Sequence, residues 1–219
     1  VQGEPIGTMT TGGAITELMN QLKYDSKTMG NHEFDYGMDR FMELAEMSET
    51  PYISCNFTHD GELVFDPYKI IDVEDLKIAF VGVTSPKTFM SSTPTFFQDE
   101  AGNYIYGFAE GNDGADLYAA VQKAVDDARA EGANYVILQA HLGDSEDCAP
   151  WMSLDVIANT NGIDAVLDGH AHSEVESEPV NNKDGEPVLL SACGTKLQNI
   201  GFLRLSAEDG ALSSGLFKW

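Results

Sequence analysis

The sequence predicts a single α/β domain, and two observations support that prediction. Helix-like and strand-like hydrophobic patterns alternate along nearly the whole chain, with no long linker or low-complexity tract between them. The chain has 219 residues and is 42% hydrophobic, which suffices for one sizeable core but not for two domains of ordinary size. We therefore expect one α/β unit over residues 1–219.

The first elements alternate between helix and strand. Apolar residues at helical spacing predict one helix over residues 12–24 and another over residues 38–47. Short β-like runs predict strands at 26–29 and 52–54, and the first of these leads into the polar segment 30–37.

The middle of the chain predicts a hairpin, a long loop and a helix. Residues 68–83 alternate as two strands around a turn at 74–75, and the second strand is apolar enough to be covered on both faces. Residues 86–113 are rich in Ser, Thr, Pro, Gly and Asn and predict a long loop. Helical spacing resumes over residues 115–130, and Gly132 is placed to end that helix.

The last third predicts buried strands that end at polar residues. Apolar runs over residues 135–140 and 164–167 stop at His141 and Asp168. Ligands of α/β sheets usually bind at such strand ends. Further strand-like runs, which suggest closure of the sheet, follow at 188–191 and 200–205.

Charge limits the classes of partner. With 36 acidic and 12 basic residues, the formal net charge is −24, which disfavours nucleic-acid polymers and anionic lipid as partners. A small anionic substrate would need local positive charge, and a bound metal ion is an economical source of it. No apolar run approaches the roughly 20 residues of a membrane span, and the acidity suits an extracytoplasmic, secreted or cell-surface location.

The histidines predict a metal site. Four of the five follow predicted strands or stand beside glycine, namely His32, His141, His170 and His172. Imidazole nitrogens and amide oxygens are metal ligands, and glycine before Asn31 and before His170 permits close backbone approach. Each histidine alone would more often be structural, but their clustering favours metal binding. The fifth histidine, His59, is interpreted as a turn residue.

Three segments carry a resemblance to a known family. The octapeptide Gly-Asn-His-Glu-Phe-Asp-Tyr-Gly at 30–37, His-Leu-Gly at 141–143 and Gly-His-Ala-His at 169–172 resemble the metallophosphoesterase motifs of bacterial 5′-nucleotidases. Segments 1–7, 19–25 and 51–56 are similar to the same family, so the resemblance covers nearly the whole chain. It implies the calcineurin-like fold, a layered α-β-β-α sandwich with two sheets face to face and helices outside.

The resemblance also implies an active site. Asn31, His141 and His170 would ligate one divalent ion such as zinc or manganese, and His172 would ligate a second. His32 would be the catalytic histidine and Asp35 the carboxylate that orients it, although Asp35 alone also suits the N-cap of the following helix. The substrate would be a nucleotide or another small phosphate ester, attacked by a water that the metals hold.

One departure from the family is chemically informative. Its members begin this domain with an Asp-x-His strand and a Gly-Asp pair whose aspartate bridges the metals, and neither motif occurs here. Two close divalent ions normally need such a carboxylate, whereas the implied ligands are all neutral. We therefore expect an N-terminally truncated domain without the C-terminal nucleotide-recognition domain, with fewer ions, impaired activity and unpaired sheet edges that would allow homodimers.

Other noteworthy residues are interpreted as structural. The three cysteines are too widely spaced for a disulfide framework or a cysteine zinc site and are expected to be small buried side chains, namely Cys55, Cys148 and Cys193. Three acids beside the histidines are expected to support the ligands, namely Asp144, Asp147 and Asp168. A solvated acidic edge is expected at Glu174, Glu176 and Glu178, and packing roles are expected for Tyr104, Tyr106 and Phe108.

Two alternatives to a 5′-nucleotidase stay open. The same metal motifs serve 2′,3′-cyclic nucleotide phosphodiesterases and UDP-sugar hydrolases. From a different class, the chain could be a non-catalytic metal-binding remnant.

Overall fold

The computed structural model describes residues 5–218. Its α-helices are α1 Pro5–Met9, α2 Gly13–Leu22, α3 Met38–Met47, α4 Thr88–Ser91, α5 Ala115–Ala130 and α6 Ser153–Asn159. Its strands are β1 Thr58–His59, β2 Glu62–Leu63, β3 Tyr68–Val73, β4 Leu76–Thr84, β5 Tyr106–Gly107, β6 Tyr135–His141, β7 Ala165–Asp168, β8 Glu174–Asn181, β9 Pro187–Cys193, β10 Asn199–Leu205 and β11 Leu212–Lys218. Short 3₁₀ turns lie at Asn31–Phe34, Pro94–Phe97, Asn112–Gly114 and Glu146–Cys148.

A six-stranded sheet forms the centre of the fold, with strand order β3-β4-β6-β7-β9-β8. Strands β4, β6, β7 and β9 run parallel, so their carboxyl ends meet at one edge of the sheet. The outer strands β3 and β8 pair antiparallel with their neighbours. This layout places the ends of β4, β6 and β7 side by side.

Helix α5 covers one face of the sheet because its apolar residues recur at helical spacing. Leu117, Val121, Ala124, Val125 and Ala128 are all buried in the same core as the sheet residues Val81, Val136 and Leu138. The chain leaves the helix through Gly132, whose φ of +93° lies in the left-handed region that glycine adopts without strain.

The opposite face of the sheet is covered by the β10–β11 hairpin. Leu203, Leu205 and Leu212 of the hairpin line a cavity of about 220 Å³ together with Ile78 and Phe80 of β4. The expected layered α/β fold is confirmed; within residues 5–218 this hairpin is a separate two-stranded sheet, and a further three-stranded sheet has the order β2-β1-β5. None of the helices described is long and apolar enough to cross a membrane.

A second core of aromatic side chains supports the 3₁₀ turn Asn31–Phe34. Phe34 is fully buried, and its ring lies 4.9 Å from Phe41, 5.1 Å from Phe97, 5.5 Å from Phe57 and 5.8 Å from Phe108. Aromatic pairs at such distances contribute about 0.5–1.5 kcal/mol each beyond burial of their area. The turn that begins with Asn31 is thus anchored at its last residue.

Several predicted elements have the expected bounds and others do not. The helices at 38–47 and 115–130, the hairpin β3–β4 and the strands ending at His141 and Asp168 are confirmed. The strands predicted at 26–29 and 52–54 are wrong, because the two segments share only a single parallel bridge between Lys27 and Tyr52.

Three further features differ from expectation. Helix α6 was not predicted, and the loop predicted at 86–113 contains α4, β5 and two 3₁₀ turns. Cys193 is exposed, whereas Cys55 and Cys148 are buried as expected. Cys193 is the last residue of β9 and opposes Glu174 at the start of the edge strand β8, where the sheet gives way to a loop.

Candidate metal centre and catalytic histidine

Three separate segments bring metal-ligand side chains to one edge of the sheet. His141 is the last residue of β6, and His170 follows the end of β7 by two residues. Asn31 opens the 3₁₀ turn at 31–34 and is 5% exposed. The parallel register that pairs Gln139 with Leu167 sets the ends of these two strands beside each other.

The three side chains converge on a common point. The Asn31 Oδ1 atom lies 2.9 Å from His141 Nε2 and 3.1 Å from His170 Nδ1. The two ring nitrogens lie 3.2 Å from each other. In the protein alone both imidazoles can donate to the amide oxygen, whereas toward a cation all three atoms present lone pairs.

These distances suit a bound divalent ion. Ligands about 2.1 Å from one ion lie about 3.0 Å apart at right angles and about 3.4 Å apart in a tetrahedron. The observed spacings of 2.9, 3.1 and 3.2 Å fall in or next to that interval. The donor set, one amide oxygen and two imidazoles, is also typical of zinc or manganese, so the residues fit the group.

Close packing around the site explains two features of the sequence. A Cβ atom on Gly30 would lie 2.6 Å from His141 Cε1, so only glycine fits before Asn31. The Asn31 side-chain nitrogen lies 3.5 Å from the Ser91 carbonyl oxygen, which turns the amide oxygen toward the imidazoles. Helix α4, which supplies Ser91, lies within the predicted loop 86–113.

His32 lies beside this site and pairs with Asp35. The His32 Nδ1 atom lies 2.8 Å from Asp35 Oδ2, and the imidazole is half exposed while the carboxylate is mostly covered. Such a carboxylate fixes the orientation of the imidazole ring. Asp35 does not cap α3, whose N-cap is Gly37, so its alternative interpretation as an N-cap is wrong.

Two of the histidines have strained backbones. His170 has a φ of +78° and His172 a φ of +61°, in the left-handed region that residues other than glycine rarely adopt. Strain of this kind costs of order 1–3 kcal/mol per residue and concentrates at functional sites. His172 is not part of the triangle of atoms formed by Asn31, His141 and His170, and it follows His170 on the same strained segment.

Asp168 holds the backbone of the two ligand segments together. Its Oδ1 atom accepts N–H groups from Leu142 at 2.9 Å, Gly143 at 3.3 Å and Gly169 at 2.8 Å. These amides flank His141 and His170, so the carboxylate stabilises both ligand loops through their backbone. Asp144 accepts a bond from Ser173 at 2.6 Å, and Asp147 pairs with Lys87.

Burial keeps the candidate ligands uncharged. Burial, followed by repulsion from His170, lowers the pKa of His141 to about 4. Burial and the charge of Lys87 likewise lower the pKa of His170. Both imidazoles are therefore neutral near pH 7 and ready to bind a cation without first losing a proton.

Carboxylates are absent from this ligand set. Among residues 5–218, no group of three or more His, Cys, Asp or Glu side chains is arranged to hold a metal ion. The triangle formed by Asn31, His141 and His170 is not a group of this kind, because one of its three side chains is an amide. Among the remaining predicted structural residues, Phe108 and Tyr106 pack in the aromatic core, the three glutamates lie on edge strand β8, and His59 precedes a turn. The packing role predicted for Tyr104 is wrong, because its side chain is 55% exposed and, among the rings of residues 5–218, its ring contacts only that of Phe89 at the margin of this core.

Comparison with known proteins identifies relatives that act on nucleotides, although no protein-family model matches the chain. A trifunctional nucleotide phosphoesterase, YfkN of Bacillus subtilis, is 26% identical over an alignment of 250 positions. The alignment covers 96% of this chain and 16% of the length of YfkN. The human 5′-nucleotidase is 29% identical over 182 residues, 78% of this chain and 28% of its own. A 2′,3′-cyclic-nucleotide 2′-phosphodiesterase/3′-nucleotidase of Yersinia enterocolitica is 28% identical over 200 residues, 81% of this chain and 29% of its own.

Several solved structures have the same fold as this chain. A 5′-nucleotidase precursor of Thermus thermophilus has a TM-score of 0.79 at 22% identity. The match covers 99% of this chain and 43% of the Thermus chain. The calcineurin-like phosphoesterase YfkN of Bacillus subtilis has a TM-score of 0.73 at 23% identity over 99% of this chain and 73% of its own. The sulfate thiohydrolase SoxB of Thermus thermophilus, with a TM-score of 0.80 at 24% identity over 98% of this chain and 36% of its own, shows that the fold also serves other chemistry.

The resemblance indicated by the motifs is thus confirmed. The homologues are 5′-nucleotidases and nucleotide phosphodiesterases, which are phosphoric ester hydrolases. The chain spans about 16–29% of the length of these three curated relatives.

Proposed function

We propose that this chain carries the metal-binding and proton-donating part of a metal-dependent phosphoesterase whose substrates are nucleoside 5′-phosphates. The convergence of Asn31 Oδ1, His141 Nε2 and His170 Nδ1 within 3.2 Å of one another is the observation that carries the proposal. The names of the relatives, which act on nucleotides, support the choice of substrate.

Asn31, His141 and His170 would hold one divalent ion, and His172 would contribute to a second. Bound there, the metal supplies positive charge to the phosphoryl oxygens and makes a water more acidic. Four neutral ligands do not balance the charge of two close divalent ions. We therefore propose that a complete two-metal site takes its carboxylates from beyond these 219 residues, and that the chain alone binds fewer ions and turns over slowly.

His32 is proposed as the group that holds the proton for the leaving oxygen. Its exposed imidazole can reach a substrate at the surface, and Asp35 fixes the ring through Nδ1. The Nε2 atom is therefore the one available to donate a proton to the alkoxide of the departing nucleoside. Protonated His32 would also offset charge on the phosphoryl group as the bond breaks.

Hydrolysis of small phosphate esters tests the proposal. Phosphate release from AMP and from p-nitrophenyl phosphate is measured with Mn²⁺ or Zn²⁺ and with a chelator. We expect turnover that needs the added metal, and we expect His32→Ala to lower kcat by about 10²–10⁴-fold, since that is the usual contribution of a general acid. The exposed His59 provides the control substitution, His59→Ala, which should leave turnover unchanged.

The outcomes separate the alternatives. Turnover of 2′,3′-cyclic AMP or of a UDP-sugar in preference to AMP would replace the substrate assignment and keep the reaction class. Metal binding at the three ligands without turnover of any ester would favour the non-catalytic remnant. An extracytoplasmic location and homodimer formation are further proposals, which fractionation of the source cells and sedimentation of the purified chain would test.

A further inference from the structure

Lys87 is a cation at the same edge of the sheet as the candidate metal ligands. It lies three residues beyond Thr84, the last residue of β4, and Thr84 is paired in register with His141. The Ser85 N–H donates to the His141 carbonyl oxygen at 3.0 Å. The segments carrying Lys87 and His141 therefore leave the sheet side by side.

Asp147 holds the Lys87 amine in place. Lys87 Nζ donates to the Asp147 backbone oxygen at 2.9 Å and also to the carboxylate of the same residue. The Ser145 hydroxyl donates to the other carboxylate oxygen at 2.5 Å. The Lys87 side chain is 21% exposed and that of Asp147 71%, so the amine lies inward and the carboxylate faces solvent.

The ion pair lies close to the His170 imidazole. The loop that carries Asp147 lies against this ring: a Cβ on Gly143 would lie 3.3 Å from His170 Cδ2 and 2.7 Å from the Sγ of Cys148, the residue after Asp147. The amine thus stands beside the candidate metal site.

A cation at this position has a clear use. The chain carries 36 acidic and 12 basic residues, so most of its surface repels a phosphate ester. Other lysine pairs, such as Lys123–Asp127 with a lysine that is 75% exposed, lie in open solvent where their charge is screened. Lys87 is instead mostly covered at the sheet edge.

We propose that Lys87 is a substrate-binding residue whose amine exchanges the Asp147 carboxylate for a phosphate oxygen of the substrate. Asp147 holds the amine in place until the substrate arrives and then turns into solvent. No covalent bond forms or breaks in this exchange, and it rests on the proposed function. It assigns the substrate class as phosphate esters with an anionic, non-bridging oxygen that Lys87 can contact.

The two partners of the pair should act in opposite directions. Lys87→Met removes the cation, so KM for AMP and the inhibition constant of inorganic phosphate should rise about tenfold, in line with the loss of one charge-assisted hydrogen bond. Asp147→Asn removes a competitor for the amine, so both constants should fall by about threefold. In both variants kcat should change by less than about twofold, because uniform binding is what is altered.

A merely structural pair gives a different pattern. Both substitutions break the same ion pair, so a loop clamp would weaken phosphate binding in both variants. Lys87→Arg should restore most of the affinity lost in Lys87→Met. The exposed pair on α5 provides matched controls of equal charge change, Lys123→Met and Asp127→Asn, which should leave both constants unchanged.

One experiment separates this inference from the proposed function. Titration calorimetry measures the binding of inorganic phosphate to the 219-residue chain in the presence of Mn²⁺. Opposite shifts in phosphate affinity support the role of Lys87 even if no ester is hydrolysed, in which case only the proposed function fails. Shifts in the same direction, no shift, or no phosphate binding by the wild-type chain would overturn the inference.

Discussion

At the scale of single residues, the site consists of three neutral groups whose polar atoms converge on one point. Two imidazole nitrogens and one amide oxygen form a triangle with sides of 2.9–3.2 Å. Burial keeps both imidazoles uncharged, and strained backbone at His170 and His172 holds two of the histidines in unusual positions. The protein therefore maintains, at some cost in stability, an arrangement that a cation would stabilise.

Gly30 makes this arrangement possible, which leads to a prediction about metal affinity. In Gly30→Ala the new Cβ would meet the His141 ring at 2.6 Å, so the ring must move away from Asn31. We expect metal affinity to fall by about 10–100-fold, as when groups that support a ligand are lost. Calorimetric measurement of the Mn²⁺ binding constant in both proteins tests this prediction.

A second glycine provides the control for that substitution. A Cβ on Gly13 would meet the end of the flexible Arg40 side chain at 3.2 Å and Thr10 Cβ at 4.0 Å, and neither residue is a candidate ligand. Gly13→Ala should leave metal affinity unchanged. Equal affinities in the wild-type chain and Gly30→Ala would show that His141 is not a ligand in the position described.

Lys27 gives a prediction about pH and stability. Its amine is buried, donates to Ser48 Oγ at 2.7 Å and lies 4.0 Å from the centre of the Tyr52 ring. Burial lowers the pKa of Lys27 from 10.5 to about 8, so the folded state binds this proton more weakly than the unfolded state. Burial of the charged amine therefore lowers the free energy of unfolding, and this effect is largest below pH 8. It disappears as the pH rises from 8 to 10.5.

The substitution Lys27→Met isolates this effect. Its stability relative to the wild-type chain should be greatest below pH 8, and that advantage should shrink by about 1.4 kcal/mol per pH unit above it. Urea denaturation at a series of pH values from 6 to 11 measures the difference. An advantage that stays constant or grows with pH would contradict the lowered pKa.

The sequence identified most of the candidate site residues and the supporting Asp168, but not Ser91 or Lys87. Asn31, His32, His141 and His170 stand out because each lies beside glycine or directly after a strand. Ser91 and Lys87 do not, because their roles depend on contacts with residues 60 positions away in the chain. The parallel register of β4 and β6 brings the segments of Lys87 and Asp147 together, and no local pattern in the sequence shows that pairing.

At the scale of elements, the 3₁₀ turn Asn31–Phe34 links the aromatic core to the site. Asn31 faces the imidazoles at one end of the turn, while Phe34 at the other end is fully buried among four other rings. Burial of the Phe34 ring therefore helps to set the position of a candidate metal ligand three residues away. This coupling is not visible in the sequence, because the rings come from five different segments of the chain.

The coupling predicts that one core substitution also weakens metal binding. Phe34→Ala and Phe97→Ala each remove a fully buried ring and should lower the free energy of unfolding by about 3–5 kcal/mol. Only Phe34→Ala should in addition weaken Mn²⁺ binding by the folded protein, because only Phe34 belongs to the turn of Asn31. Equal metal affinities in the two folded variants would contradict the coupling.

Among the elements, periodicity predicted the long ones and failed on the short ones. The helix α5 and the strands β4 and β6 bury regular apolar faces, so their patterns are unambiguous. Segments 26–29 and 52–54 are apolar enough for strands, but they lie side by side over only one bridge. Without long-range pairing partners, local propensity does not decide such cases.

At the scale of the whole molecule, charge dominates. A net charge of −24 on 219 residues means that acidic groups repel one another over the surface, and folding brings them closer together. The repulsion is screened by salt, because the Debye length falls from about 30 Å at 0.01 M to about 3 Å at 1 M. Salt should therefore stabilise this protein.

Thermal unfolding measures that effect directly. The melting temperature should rise steadily between about 0.01 and 1 M NaCl, and KCl at equal ionic strength should act alike since screening does not depend on ion identity. A melting temperature that falls with salt would show that attractive ion pairs, such as Arg129–Asp164, outweigh the repulsion.

We propose above that Asn31, His141 and His170 together bind a divalent metal ion. Anomalous diffraction from crystals of the chain soaked in Mn²⁺ or Zn²⁺ tests it most directly. We expect a strong peak within about 2.3 Å of Asn31 Oδ1, His141 Nε2 and His170 Nδ1, and we expect the peak to be lost in His141→Ala. A peak found only among surface carboxylates, or no peak at all with the three side chains in place, would contradict it.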